Sequence, residues 1–321
     1  MKKFIILSVL LLACIAAGIW AAKVYFFSKG PLVMVQIRPG QTGNEVARLL
    51  KAKGVIRSEL LFKILFRLTA DKNDLKAGRF DLRRNTPDLE VISCIKTGQC
   101  THYEKVTILE GWRSEEIASE LGAHGVTDPQ AFLNIVREKD LEGHLFPSTY
   151  LFSDSTSAQK VVDQMLAQYD KNIAPLFKKY KTDLTERQVL TLASIVEREA
   201  LVHDERPKIA AVYLNRFRIG KRLEADPTVQ YALGFTLKEN RFWKKGLTFK
   251  DLRVDSPYNT YRNAGLPPGP ICNPGAKSVE AVLNPQPDFD AIYFVADRTG
   301  RHAFSRTFEE HKNNIKRIRG R

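Results

Sequence analysis

Between Phe4 and Ala22 only Ser8 is polar; Lys2 and Lys3 precede this apolar run and Lys23 closes it. A stretch of that length matches the roughly 20 residues a helix needs to cross a hydrocarbon core. It predicts a transmembrane helix over 4–22 behind a cytoplasmic stub of residues 1–3. A cleaved signal peptide competes with it, although its apolar region is usually only about 7–15 residues long. Further on the rhythm changes. Val35-Gln36-Ile37-Arg38-Pro39-Gly40 and Val106-Thr107-Ile108-Leu109-Glu110-Gly111 alternate like short strands ending in a glycine turn. Each leads into helical spacing, Val46-Ala47 with Leu50 and Ile117-Ala118 with Leu121, and then Gly54-Val55 or Gly125-Val126. Every position of the first stretch precedes its match by 71 residues, so a strand and a glycine-capped helix occur twice.

Leu60 to Leu68 reads as an apolar helix and Gly78 to Leu82 as a strand. Helical spacing covers Pro129 to Glu138, Ala158 to Tyr169 and Thr185 to about Val202; Thr185 and Gln188 have capping-box spacing. Two more helices run from Pro207 to Gly220 and from Asp226 to Gly234. Asp255 to Gly275 holds Pro257, Pro267, Pro268, Pro270 and Pro274, too much proline for a regular element. A hairpin through Asp297-Arg298-Thr299-Gly300 and a last basic helix capped by Thr307 complete the chain. The expected fold class is α+β: a single N-terminal transmembrane helix, a small strand-helix subdomain over 30–127, and a mixed helical and strand catalytic domain over 128–321. The two-copy unit resembles the LysM-like modules of wall-binding proteins; a generic strand-helix packing unit fits equally.

With 44% hydrophobic and 27% charged residues the chain has globular composition, and its net charge of +14 favours a polyanionic partner. Two lysines ahead of the apolar run put the N-terminus in the cytoplasm, so the body is exported across the inner membrane. Export argues against nucleic acid, as does the lack of a zinc-finger, RNP or P-loop pattern. Cys14, Cys94, Cys100 and Cys272 are too few and scattered for a disulfide framework or a metal site. Cys94 and Cys100 either pair, in an oxidising compartment, or stand as two unpaired thiols. The basic final helix, with Lys312, Lys316, Arg317, Arg319 and Arg321, reads as a solvated face or as one that leans on anionic lipid or wall polymer.

Leu192-Ala193-Ser194-Ile195-Val196-Glu197-Arg198-Glu199-Ala200 sets carboxylates inside an apolar helix, where desolvation favours the protonated form a general acid needs. Ala193, Ser194, Ala200 and Leu201, three and four residues from Glu197, are uncharged and mostly small, leaving room for a substrate and no cation to hold the carboxylate ionised. Glu199 is spaced for a structural contact with His203. These two, with His302 and His311, are also the basis of a metallohydrolase reading that lacks the usual pair of histidines on one helix.

The same helix resembles the catalytic helix of the endolytic murein transglycosylases, the YceG-like family. Further matches follow in order: Val212-Tyr213-Leu214-Asn215-Arg216, Asp226-Pro227-Thr228-Val229-Gln230-Tyr231, Ser256-Pro257-Tyr258-Asn259-Thr260-Tyr261, Gly265 to Ile271, Asn273-Pro274-Gly275, Tyr293-Phe294-Val295 and His302-Ala303-Phe304. Leu141-Glu142-Gly143, Leu145-Phe146-Pro147 and Glu110-Gly111-Trp112 precede them. The resemblance runs from about residue 30 to the C-terminus and puts the catalytic glutamate at Glu197. It implies cleavage of the bond from N-acetylmuramic acid to N-acetylglucosamine in nascent peptidoglycan strands without water, leaving a 1,6-anhydro end. Glu197 would protonate the leaving oxygen and then take the proton of the muramic C6 hydroxyl as it closes on C1. Asp226, Tyr258, Asn259, Tyr261 and Asn215 are the candidate substrate contacts, against readings as a helix cap, loop packing and interhelical packing. No cofactor or metal is implied. Glycan strands, the cytoplasmic membrane and peptidoglycan synthases are the expected partners; a noncatalytic envelope-binding protein is the rival from another class.

Overall fold

A computed structural model describes residues 29–70, 74–153, 156–200 and 202–320. They form two compact units: one holds the residues through Glu104 and the stretch that starts at Leu151, the other Lys105–Tyr150 and the chain from Thr156 onward. One part of the expected fold class is corrected. The transmembrane helix expected over 4–22 lies outside the described residues, and among these no helix is long and apolar enough to cross a membrane. Even Ala158–Asn172, with 15 residues, is too short for a span and carries Gln159, Lys160 and Asp163 on its outer side. The described fold is α+β, built of helices and three two-stranded sheets.

In the first unit β1 (Leu32–Ile37) pairs antiparallel with β2 (Gly78–Arg83), Leu32 facing Arg83 and Ile37 facing Gly78. Between them lie α1 (Gly43–Ala52), closed by a Thr42/Glu45 capping box, and α2 (Glu59–Thr69), capped by Ser58. Val35, Ile37, Leu50, Phe62 and Phe80 meet in their core with residues of α3 (Asp88–Thr97). Gly98 ends α3 in the left-handed conformation, and Cys94 is bridged to Cys100 across that turn. The match at 71 residues is structural too: α1 corresponds to α4 (Ser114–Ala123), each buries the same three positions, and Gly54 and Gly125 both have positive φ. The two copies belong to different units.

The second sheet joins β3 (Tyr103–Thr107) to β4 (Thr149–Ser153). The second unit is centred on α8 (Glu186–Glu199), which α5 (Pro129–Glu138), α6 (Ala158–Asn172) and α7 (Ala174–Lys179) precede. Every residue of α8 from Val189 to Val196 is buried, so the helix is apolar all round, as a core helix must be. Its charged residues lie at the two ends, Glu186 and Arg187 in the first turn and Glu197, Arg198 and Glu199 in the last. α9 (Arg206–Arg218) and α11 (Ala276–Leu283) pack against α8; α10 (Asp226–Leu233) lies between them in sequence. β5 (Tyr293–Ala296) and β6 (His302–Ser305) make the expected hairpin, and α12 (Phe308–Arg319) ends the chain.

The proline-rich stretch is irregular but pinned. The Ser194 hydroxyl accepts the Ile271 N–H at 3.0 Å, and Asn273 is buried with its Oδ1 accepting the N–H groups of Gly143 and Leu145, each at 2.9 Å. Asn273 Nδ2 donates to Trp112 O at 3.1 Å and to Glu142 at 2.8 Å. One asparagine thus holds the 110–112 turn, the 141–145 segment and the proline-rich stretch together. Ser194→Ala leaves the Ile271 amide buried without that acceptor, so chemical denaturation should show a loss of about 1–3 kcal/mol of stability with the fold kept.

Candidate active site

Successive residues of a helix point about 100° apart, so Glu197 and Glu199 leave the last turn of α8 on nearly opposite sides. Their surroundings differ accordingly. Glu197 has a side chain only 5% exposed; Arg206 Nη2 donates to its Oε1 at 2.9 Å and the Gly275 N–H to its Oε2 at 2.9 Å. The sequence neighbours of Glu197 supply no cation, as expected, but the start of α9 folds back and brings one. Arg206 is itself 6% exposed; its Nη1 lies 2.5 Å from His203 Nδ1, and Glu110 Oε2 stands 3.9 Å from Nη2, the nitrogen that also serves Glu197. Arg198, between the glutamates, lays its guanidinium 3.8 Å from the Trp243 ring centroid.

A Cβ at Gly275 would overlap the Glu110 carboxylate where it stands, so a side chain there would displace it. Burial and the charge of Glu197 raise the pKa of Glu110, against the opposing charges of Arg206 and His203. Glu110 is therefore a second carboxylate on the Glu197 side, and it lines a cavity of about 660 Å³ with His203, Arg206 and Lys277. Sequence spacing gave no sign of it, because the two glutamates are far apart in the chain.

Glu199 is desolvated. Burial pushes its pKa up to about 7, helped by the charge of Asp226 and opposed by a hydrogen bond from Tyr213 and by Arg216 and Arg198. The Tyr213 hydroxyl donates to Glu199 Oε1 at 3.0 Å. The contact expected between Glu199 and His203 does not form, since His203 turns to Arg206. Glu199 opens instead on a cavity of about 340 Å³ that Asp226, Tyr213, Tyr261 and His302 also line.

Of the candidate substrate contacts, two reach this cavity. Asp226 is the first residue of α10 and not its cap, which is Ala225; its Oδ1 accepts the Tyr261 hydroxyl at 2.7 Å. Burial and that bond raise the Tyr261 pKa. Tyr258 stacks obliquely on Tyr231, centroids 4.7 Å apart, away from Glu199's cavity. Asn259 is fully buried and ties its own loop, donating to Leu252 O and Val254 O and accepting the Tyr261 N–H. Asn215 donates to Phe289 O and Ala291 O at 2.7 and 3.1 Å, which is packing beside the hairpin. Of the groups of the metallohydrolase reading, Glu199, His302 and His311 line one cavity but bond elsewhere, to Tyr213, to Glu205 and onto the ring of Tyr293, while His203 turns to Arg206. Among the described residues they form no cluster that could hold a metal ion. Tyr213 and the Glu205–His302 pair went unrecognised in the sequence because their partners come from distant segments; the only signal was their place inside or beside the ordered motifs.

A desolvated carboxyl facing an open cavity beside a second acidic group is the equipment of an enzyme that works by proton transfer. The chain belongs to the YceG-like family, whose model matches residues 35–317. It is similar to the endolytic murein transglycosylase of Bacillus subtilis, 31% identical over 87% of this chain and 82% of that protein. The endolytic murein transglycosylase of Streptococcus pneumoniae is 29% identical over 98% of this chain, which spans 65% of that protein's length. The crystal structure of a YceG-like protein from Listeria monocytogenes superimposes with a TM-score of 0.56 at 32% identity, covering 89% of this chain and 99% of that one.

The buried ion pair makes a separate prediction. Arg206→Ala leaves the Glu197 carboxylate buried without its cation and should lower stability by about 3–5 kcal/mol, read from denaturant midpoints. Replacing both partners by apolar residues of similar volume should recover most of that loss.

Proposed function

We propose that this protein is an endolytic transglycosylase that cleaves the bond from N-acetylmuramic acid to N-acetylglucosamine in nascent peptidoglycan, without water, and that Glu199 is its general acid. The observation that carries this reading is the desolvated Glu199 carboxyl, protonated near neutral pH, on the wall of a cavity with Asp226 and Tyr261. The sequence had pointed to Glu197. That residue's two oxygens are occupied by Arg206 and the Gly275 amide, which leaves neither free to face a leaving oxygen.

Glu199 protonates the leaving oxygen while the C6 hydroxyl of the muramic residue closes on C1. Hydrolases need a second carboxylate to attack or to activate water. Here the nucleophile is part of the substrate, so its effective concentration is already high. Asp226, on the wall of the same cavity, is the carboxyl group that stabilises the positive charge developing at C1. The first unit, with its β1-α1-α2-β2 order, suits a LysM-like accessory module that holds the strand. On this reading the protein works where nascent strands lie, at the outer face of the cytoplasmic membrane beside the synthases.

Glu199→Gln should reduce release of anhydro-ended fragments by about 10²–10⁴-fold with the fold intact, whereas Glu197→Gln should lose mainly stability. Product masses one water below the hydrolytic fragments identify the reaction class; retention of activity in Glu199→Gln, with its loss in a folded Glu197→Gln, would return the role to Glu197. The pH profile follows from the raised pKa of Glu199. The acid form is the active one, so kcat/KM should fall as pH rises through about 7. A rate that stays flat from pH 6 to 9 would contradict this assignment.

A further inference from the structure

Glu205 and His302 form a carboxylate-imidazole pair at the cavity of Glu199, and donation of a proton to the leaving oxygen uses neither. His302, the first residue of β6, has Nδ1 2.8 Å from Glu205 Oε2, and its backbone N–H lies 3.1 and 3.2 Å from the two oxygens of that carboxylate. The side chains are only 4% and 7% exposed. Arg301 Nη1 stands 3.9 Å from Glu205 Oε1. The groups placed against Glu205 are N–H donors, so the carboxylate takes the Nδ1 side of His302 and Nε2 is the ring nitrogen turned away from it. Phe294 fixes the ring by an edge contact at 5.1 Å and 90°. His302 lines the cavity with Glu199, Asp226 and Tyr261.

An imidazole oriented through Nδ1 by a buried carboxylate presents Nε2, the atom through which a neutral ring takes a proton from a hydroxyl. We propose that His302 is the proton acceptor of the reaction, receiving through Nε2 the proton of the attacking C6 hydroxyl. The inference rests on the transglycosylase reading and on Glu199 as acid. The C1–O4 bond breaks, and O4 leaves with the electron pair and takes the proton of Glu199. O6 bonds to C1 and gives its proton to Nε2. Glu199 ends as a carboxylate and His302 as an imidazolium, and proton exchange with solvent restores both. Acid and base are then separate groups.

The test measures release of anhydro-ended fragments from purified glycan strands by the full chain and by His302→Ala, His302→Gln, Glu205→Gln and Glu199→Gln. His302→Ala should lose about 10²-fold or more in kcat with KM nearly unchanged, and added imidazole should restore at least about tenfold. His302→Gln, which accepts a hydrogen bond but not a proton at neutral pH, should stay slow. Glu205→Gln, which removes the orienting charge, should lose about tenfold in kcat. A kcat for His302→Ala within about twofold of the parent overturns the proposal, as does full activity in His302→Gln. Should His302→Ala fail to fold, the Gln variants decide: parental kcat in both overturns it and a slow pair supports it. The two readings fail separately. Parental activity in Glu199→Gln removes the acid assigned here and the proposal with it; an inactive Glu199→Gln beside fully active His302 variants removes only the role of His302.

Discussion

Two glutamates two residues apart on a buried helix must leave it on opposite sides, and much of the second unit is arranged to meet that constraint. An ionised carboxylate inside a protein is costly unless it is paired, and an unpaired one becomes neutral instead. The structure uses both outcomes within one turn. Arg206, reaching back from the start of α9, neutralises Glu197 at 2.9 Å. Glu199 receives a tyrosine hydroxyl in place of a guanidinium bond, and burial moves its pKa to about 7. Arg198, between them, is held against Trp243 and does not form an ion pair with either glutamate. Two residues of the same type thereby sit in opposite electrostatic surroundings.

The paired side is where the chain is tied together. Gly275 donates to Glu197 while its missing side chain makes room for Glu110, and α11 starts from the next residue. Two residues upstream, Asn273 joins three segments through four side-chain hydrogen bonds. One of its partners, Glu142, is itself buried with a pKa pushed up to about 7. The irregular loop between Asp255 and Gly275 therefore needs no regular secondary structure to hold its shape. Its amides are satisfied by buried side chains instead. The unpaired side can then remain open, since Asp226, Tyr261 and His302 are each placed by elements that this framework fixes.

Much of the architecture was legible in the sequence. The 71-residue match gave two strand-helix units with the same buried positions, and the capping pairs Thr185/Gln188 and Thr307/Glu310 mark the true starts of α8 and α12. The apolar run of α8 pointed to the turn that carries both buried glutamates. What local spacing did not give was which glutamate is free of a cation. Residues three and four positions from Glu197 carry no charge, but Arg206 arrives by way of a chain reversal after α8, and only tertiary structure supplies it. The reading of Asp226 as a helix cap failed for a related reason: Ala225 takes the cap position and Tyr261, from the loop, takes the carboxylate. Asn259 and Asn215 were found as motif residues, yet their amides are used on backbone carbonyls, which a motif does not reveal.

The central claim is that folding leaves Glu199 protonated near neutral pH on a helix whose other glutamate is ion-paired. The most direct measurement is a carbon-detected NMR titration of the glutamate side-chain carboxyls, assigned by comparison with Glu199→Gln and Glu142→Gln. The account predicts that Glu199 titrates near pH 7. Titration of Glu199 in the ordinary carboxylate range, near 4.5, would contradict it.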